Sequence, residues 1–179
     1  MLEPTAAPTT ESPSTTSFLS TYISPDLISY LEAEQKRLIK DSLLLLSYFA
    51  DRPEDPHEVH DFAFVVFPLA KAYEGFLKTY FYRHHLISED RYRGRYFRIG
   101  RSFNPDLPQK YRDEDWVYDD VTRECSEELA REMWNVWLDA RNHLFHYFPD
   151  ERYDLTLEEA EKLVHHALDV MTRAVRCGE

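Results

Sequence analysis

Glycine is scarce in this sequence. The chain of 179 residues contains only four glycines, whereas 15% of its residues are aromatic. Sheet-rich folds with many tight turns need glycine at those turns, so this balance favours a compact helical fold. The length fits one domain with enough chain for a sizeable core.

Cysteine and long apolar runs are scarce as well. The two cysteines, Cys125 and Cys177, have no metal-ligand spacing, and two thiols do not make the disulfide framework of a small secreted domain. No apolar run reaches the roughly 18 residues that a membrane-spanning helix needs. The N-terminus lacks the basic and hydrophobic regions of a signal peptide. We therefore predict a cytoplasmic protein that has no membrane partner and holds neither a metal nor a cofactor.

Basic residues are in the minority, with 21 Lys and Arg against 33 Asp and Glu, for a net charge of −12. A surface of this sign excludes unselective nucleic-acid binding by the whole protein. The exception is the segment 83–101, which contains six arginines and only two carboxylates. One basic strip on an acidic body suits either an RNA strand or an acidic partner, and the sequence leaves both open.

The pattern along the chain predicts a leader followed by a helical domain. Residues 1–22 are dominated by Thr, Ser, Pro and Ala, so we expect a disordered leader or linker there and a folded domain over 23–177. Apolar residues at helical spacing predict four helices, at about 25–50, 57–85, 126–148 and 156–175. The expected fold is all-α: a four-helix bundle with a long loop, 86–121, between helices 2 and 3.

The stretch from Trp134 to Pro149 is an apolar helix that ends in polar residues. Pro149 cannot continue the helix, so His146 lies in or near its last turn, and histidine is the side chain best suited to proton transfer near neutral pH. Asn142 and His146 share a face of a regular helix, whereas Arg141 lies about 140° away from His146. Arg141 and His146 can serve one site only if the helix end is distorted or a second subunit completes the site. The alternative is that these residues merely cap the helix and pair with carboxylates.

Glu74 is a second candidate, because it stands between aromatic neighbours in an apolar helical segment. A carboxylate that is buried there needs a cation or a hydrogen-bond donor. Glu74 either pairs with Lys71 or Lys78 on its own helix, or faces Arg141 and His146 across the bundle. The sequence leaves both arrangements open.

Two motifs carry a resemblance to a known family. The pattern Arg141-Asn142-x-x-x-His146 resembles the signature of the HEPN superfamily, many of whose members are metal-independent RNases. The segment 70–78, with Glu74-Gly75-Phe76-Leu77-Lys78, resembles a helix in the HEPN portion of the RNase LS toxin family. The resemblance covers about residues 25–175 and implies an HEPN-like bundle. It also implies that Glu74, Arg141 and His146 are catalytic, with Asn142 orienting His146 or binding the phosphate.

The function implied by this resemblance is a metal-independent endoribonuclease that acts as the toxin of a toxin–antitoxin or phage-defence system. The implied partners are an RNA substrate, a second copy of the chain in a homodimer, and a cognate antitoxin protein. We expect RNA contacts from a set of basic residues: Lys71, Lys78, Arg91, Arg93, Arg95 and Arg98. The alternative for the arginines is a solvated loop that they pin to the acidic surface.

Two rival functions stay open at this point. The first is a non-catalytic HEPN module that binds RNA or nucleotides or mediates dimerisation. The second is an HEPN toxin whose nucleotidyltransferase antitoxin modifies a tyrosine two residues after the motif histidine. The second rival is weakened, because this chain has Phe148 at that position.

Overall fold

The computed structural model describes residues 13–52, 59–146, 149 and 153–177. All regular elements in these ranges are helical, which confirms the all-α prediction. The α-helices are α1 Pro13–Leu19, α2 Pro25–Tyr30, α3 Ala33–Ala50, α4 Ala63–Arg83, α5 Glu89–Arg93, α6 Ile99–Ser102, α7 Tyr118–Glu124, α8 Glu127–Trp137 and α9 Leu157–Cys177. A 3₁₀ helix occupies Gln109–Tyr111, and a π-helix occupies Leu138–His143. Within the described ranges, no helix combines the length and the apolar character required to cross a membrane.

Helix α4 is the centre of the core, since it packs against α3, α8 and α9. Tyr73, Phe76 and Tyr80 on this helix are fully buried. The Tyr73 hydroxyl donates a 2.8 Å hydrogen bond to the carbonyl of Met133 in α8, so its one polar atom is satisfied inside the core. Burial raises the pKa of Tyr73 well above its usual value, which keeps the hydroxyl protonated and able to donate. This bond fixes α4 against α8 at the residue next to Glu74.

Close packing of α3 on α4 explains the glycine within α4. A Cβ atom at Gly75 would lie 3.2 Å from Nε2 of Gln35 in α3. The same Gln35 amide donates a buried hydrogen bond of 3.2 Å to the hydroxyl of Thr79. Gly75 therefore offsets its low helix propensity by letting the two helices approach. Helix α4 also continues through Pro68, although proline has no N–H to donate within a helix.

The beginning of the helical body differs from the prediction in two ways. The predicted leader extends to residue 22, but α1 is helical and Leu19 is fully buried in the core. Residues 1–12 of that leader lie outside the described residues. The predicted helix over 25–50 is interrupted at Leu31, where Glu32 and Gln35 form a capping box that starts α3. Phe18 and Leu19, together with Ile23 just after the predicted leader, give this segment apolar surface to bury in the core. The high Thr, Ser and Pro content of residues 1–22 as a whole does not indicate this.

The connection from 86 to 121 differs from the long loop of the predicted bundle. Its length also indicates that it could contain a short helix of its own, and the structure shows such helices. It contains α5, α6, a 3₁₀ turn and the start of α7. Its apolar side chains join the core, among them Phe97, Phe103 and Val117. A Cβ atom at Gly100 would lie 2.6 Å from Cη2 of Trp137, so only glycine allows α6 to pack this closely on the end of α8. The connection thus packs against the residue that precedes the π-helix.

A disulfide joins Cys125 to Cys177, with the two Cα atoms 5.6 Å apart and a sequence separation of 52 residues. It links the loop just before α8 to the last residue of α9. The Tyr80 hydroxyl lies 3.3 Å from the Cys125 sulfur, and burial raises the pKa of Tyr80. The sequence does not predict this pairing, because nothing in the local pattern distinguishes these thiols.

Candidate active site

The helix that carries the motif changes geometry immediately before it. From Leu138 to His143 the chain forms a π-helix, in which hydrogen bonds join residues five apart rather than four apart. Arg141 and Asn142 belong to this π-helix, whereas His146 lies three residues beyond its end at a bend of the chain. The structure thus shows the distorted helix end that the sequence leaves open as one of two alternatives, while Phe148 lies outside the described residues.

Glu74, Arg141 and His146 line one pocket of about 420 Å³ between α4 and the end of the motif helix. Glu74 comes from α4 and stands 67 positions before Arg141. The other residues that line the pocket are Phe67, Ala70, Lys71 and Phe145. The three side chains to which the resemblance assigns catalysis therefore meet at one place on the surface.

Glu74 makes its ion pair across the helices. The Nε atom of Arg141 lies 3.5 Å from Oε2 of Glu74, and the side chains are 38% and 40% exposed, respectively. Among the described residues, neither Lys71 nor Lys78 pairs with Glu74, so the cross-helix alternative is the one observed. A pair this exposed contributes at most about 1 kcal/mol to stability. The contact places the Glu74 carboxylate where it can orient the Arg141 guanidinium.

Phe145 gives Arg141 a second contact. The guanidinium carbon lies 5.8 Å from the centroid of the Phe145 ring, within the range of a cation–π interaction. The Phe145 ring in turn meets Phe67 edge-on, with centroids 5.1 Å apart. Arg141 is thus held from two sides, while His146 is exposed at the pocket wall. A fixed arginine beside an accessible histidine suits a phosphate group that gains charge while a proton moves.

The other predicted residues on these helices fall in different places. Asn142 is half-buried and is not among the residues that line the pocket, so its role stays a prediction. Lys71 is exposed and lines the pocket. Lys78 lies on the same helix, about 10 Å further along its axis, and is half-buried.

Two of the four predicted RNA-binding arginines are engaged by carboxylates. An Nη atom of Arg91 lies 2.8 Å from Oδ2 of Asp115, and Nε of Arg93 lies 2.8 Å from Oε1 of Glu89. The Glu89 contact raises the pKa of Arg93, so this guanidinium stays charged. Because Asp115 lies outside α5, the Arg91 contact favours the alternative of a loop pinned to the acidic surface. Arg93 pairs with a residue of its own helix, so its contact leaves both alternatives open.

Arg95 and Arg98 differ from those two. Both are exposed, and among the described residues neither forms an ion pair. Tyr96, which stands between them, exposes 83% of its surface. An exposed ring between two available guanidinium groups is the arrangement that binds unstacked bases and phosphates. The RNA-binding prediction for this segment therefore concentrates on Arg95 and Arg98.

Sequence reasoning missed two features of this site. The first is the aromatic wall of Phe67 and Phe145, whose residues are readable in the sequence but resemble ordinary core positions at helical spacing. The second is the π-helix, which has no sequence signature of its own. Among the described residues, no three His, Cys, Asp or Glu side chains are grouped so as to hold a metal ion.

Comparison with protein-family models, with curated proteins and with solved structures finds no match for this chain. The HEPN resemblance consequently rests on the residues at 70–78 and 141–146 alone. What the site does has to be argued from its own geometry.

Proposed function

We propose that this chain is a metal-independent endoribonuclease of the HEPN type, with its site formed by Glu74, Arg141 and His146. The observation that carries the proposal is the convergence of these three side chains in one pocket, with Glu74 and Arg141 in contact. Arg141 also lies within a π-helix that ends three residues before His146. Helical distortions of this kind are frequent at functional sites.

The proposed reaction uses the substrate's own 2′-hydroxyl as nucleophile. The 2′-oxygen forms a bond to the adjacent phosphorus while the bond from phosphorus to the 5′-oxygen breaks. Arg141 binds the non-bridging oxygens and stabilises the negative charge that develops on them. His146 either accepts the proton of the 2′-hydroxyl or donates one to the departing 5′-oxygen. The products are a 2′,3′-cyclic phosphate and a 5′-hydroxyl.

A homodimer follows from the shortage of proton-transfer groups in one copy. The pocket contains a single histidine, so a second copy placed beside it would supply the complementary acid or base. A dimer could also be argued from the apolar residues at 43–46, 134 and 137, but most of these pack within the chain: Leu43, Leu46 and Trp134 are buried in the core. Leu44 alone of this group is largely exposed, at 45%. Sedimentation at tens of micromolar should show a dimer, and a strictly monomeric species would contradict this part of the proposal.

The proposed cellular role is that of a toxin held in check by an antitoxin protein. Expression of the wild-type chain should then slow or stop bacterial growth, and Arg141→Ala should relieve the arrest. Normal growth with abundant, folded wild-type protein would contradict the toxin assignment.

A non-catalytic HEPN module is the second candidate. It is favoured by the length of the Glu74–Arg141 contact, 3.5 Å, and by the position of Asn142 away from the pocket. In that case the pocket would bind RNA or a nucleotide without turnover. The two candidates differ in product formation, which can be measured directly.

The test is cleavage of an unstructured RNA by purified protein in excess EDTA. The proposal predicts cleavage with 2′,3′-cyclic or 3′-phosphate ends, resistance of a substrate carrying 2′-deoxyribose at the cut position, and a large loss of rate in Arg141→Ala. Arg37→Ala is the matched control, since Arg37 forms an exposed ion pair with Glu34 on α3 and does not line the pocket. Cleavage that EDTA abolishes and magnesium restores would overturn the mechanism, and RNA binding without cleavage would favour the non-catalytic module.

A further inference from the structure

Phe67 is a large apolar side chain that exposes 48% of its surface at the wall of the candidate site. It lies on α4 one turn before Lys71, and its ring contacts Phe145 on the motif helix. Arg141 already lies over the Phe145 ring, so Phe67 is the aromatic residue of the pocket with the most surface left uncovered.

The pocket therefore combines an aromatic wall with basic groups. Lys71 is exposed and, among the described residues, forms no ion pair, while Arg141 and His146 line the same space. Nucleotides need this combination, because their bases stack on aromatic rings and their phosphates bind lysine and arginine. A volume of about 420 Å³ is large enough for more than the phosphate group alone.

The charge around Phe67 argues against a protein partner at this position. Lysine is depleted from the cores of protein interfaces, yet Lys71 lies one turn away on the same face of α4. The neighbouring exposed aromatic residue, Phe64, behaves differently. The centroid of the Phe64 ring lies 5.5 Å from that of Phe49 and 5.9 Å from that of Phe62, so Phe64 belongs to an aromatic cluster at the C-terminal end of α3.

We propose that Phe67 stacks on the nucleobase of the nucleotide next to the cleaved phosphate and that Lys71 binds the adjoining phosphate. The substrate is then single-stranded RNA, since a base inside a duplex is already stacked on both faces and is not available to Phe67. This inference rests on the proposed function in that it takes RNA to be the ligand of the pocket. Phe67 is a positioning and specificity residue and takes no part in proton transfer.

The experiment measures binding without cleavage. A short single-stranded oligoribonucleotide with one 2-aminopurine base is titrated with the His146→Ala protein, and fluorescence quenching reports stacking of that base. Adding Phe67→Ala should weaken binding by roughly 5- to 150-fold and abolish the quenching, whereas Phe67→Tyr should retain both. Phe64→Ala is the control on the same helix, and circular dichroism checks that each variant is folded. The duplex form of the same oligonucleotide should bind far more weakly.

Three results would overturn the inference. The first is unchanged binding and quenching in Phe67→Ala, and the second is equal affinity for duplex and single-stranded RNA. The third is loss of a dimer in Phe67→Ala while RNA binding is intact, which would make Phe67 an interface residue. The outcome is separable from that of the cleavage proposal. Base stacking at Phe67 can be observed in a protein that never cleaves RNA, and cleavage can be unaffected by Phe67→Ala.

Discussion

Replacing Glu74 by glutamine removes one charge at the candidate site and keeps the shape of the side chain. The ion pair that this change breaks joins Nε of Arg141 to Oε2 of Glu74 at 3.5 Å, with the two side chains 38% and 40% exposed. Exposed pairs of this kind contribute about 0–1 kcal/mol, so the free energy of unfolding should fall by no more than about 1 kcal/mol. For a chain of this length, that corresponds to a decrease in melting temperature of at most about 2–4 °C.

The effect of Glu74→Gln on cleavage should be much larger. If Glu74 orients Arg141, the variant weakens a preorganised phosphate donor, and complete removal of such a donor costs about 100- to 1000-fold in rate. We therefore expect a loss of at least about tenfold, approaching that limit if Phe145 alone cannot hold the guanidinium. The loss should appear in the single-turnover rate at saturating RNA, because Arg141 acts on charge that develops during the reaction.

The assay compares single-turnover cleavage with thermal unfolding for three proteins. Glu158→Gln is the matched control, because Glu158 pairs with Lys162 at 2.6 Å in an exposed position on α9. Its stability should change as little as that of Glu74→Gln, and its cleavage rate should not change. A Glu74→Gln protein that cleaves at the wild-type rate would refute the positioning role, and one that unfolds would show that the ion pair is structural.

Three further predictions concern the fold and the RNA surface. Tyr73→Phe leaves the carbonyl of Met133 without its 2.8 Å hydrogen bond in the core and should cost about 1–3 kcal/mol in thermal unfolding; an unchanged melting temperature would contradict the role given to this bond. Reduction of the disulfide between Cys125 and Cys177, which are 52 positions apart, should lower the free energy of unfolding by about 4 kcal/mol. The Cys177→Ser protein should be as stable as reduced wild type and should not respond to reductant. Equal stability of oxidised and reduced wild type would contradict this prediction. The double variant Arg95→Gln/Arg98→Gln should bind RNA more weakly. The slope of log affinity against log salt concentration should decrease in magnitude by about 0.7 for each phosphate that the variant no longer binds. An unchanged slope would indicate that the segment has a purely structural role. Replacing Arg91 and Arg93 by glutamine as well should weaken RNA binding little further, because these two residues already pair with carboxylates.

Local chemistry made several helix boundaries predictable from the sequence. Ser24 accepts a hydrogen bond from the amide of Leu27 at the start of α2, as a serine before a proline indicates. Thr156 and Glu159 form a capping box, as a threonine followed three residues later by a glutamate indicates, and the Thr156 amide lies 2.8 Å from the Glu159 carboxylate. These signals lie within four residues of each other, so the sequence contains all the partners that decide them.

Features that depend on distant partners were not predictable in the same way. The disulfide joins thiols that no local pattern relates, and the burial of Phe97 and Phe103 depends on contacts with Phe81 in α4. The π-helix was not predictable either, because spacing alone cannot choose between bonds to the fourth and to the fifth residue. At the site, the sequence left two questions open: the partner of Glu74, and whether the helix end is distorted.

His146 provides the most direct test of the central claim that this pocket cleaves RNA. Purified His146→Ala protein is compared with wild type and with His166→Ala, which removes an exposed histidine on α9 away from the pocket. The account predicts that wild type and His166→Ala cleave single-stranded RNA equally well in EDTA, whereas His146→Ala binds RNA and keeps its helical circular-dichroism signal but cleaves at least about 100-fold more slowly. Cleavage by His146→Ala at the wild-type rate would contradict the account.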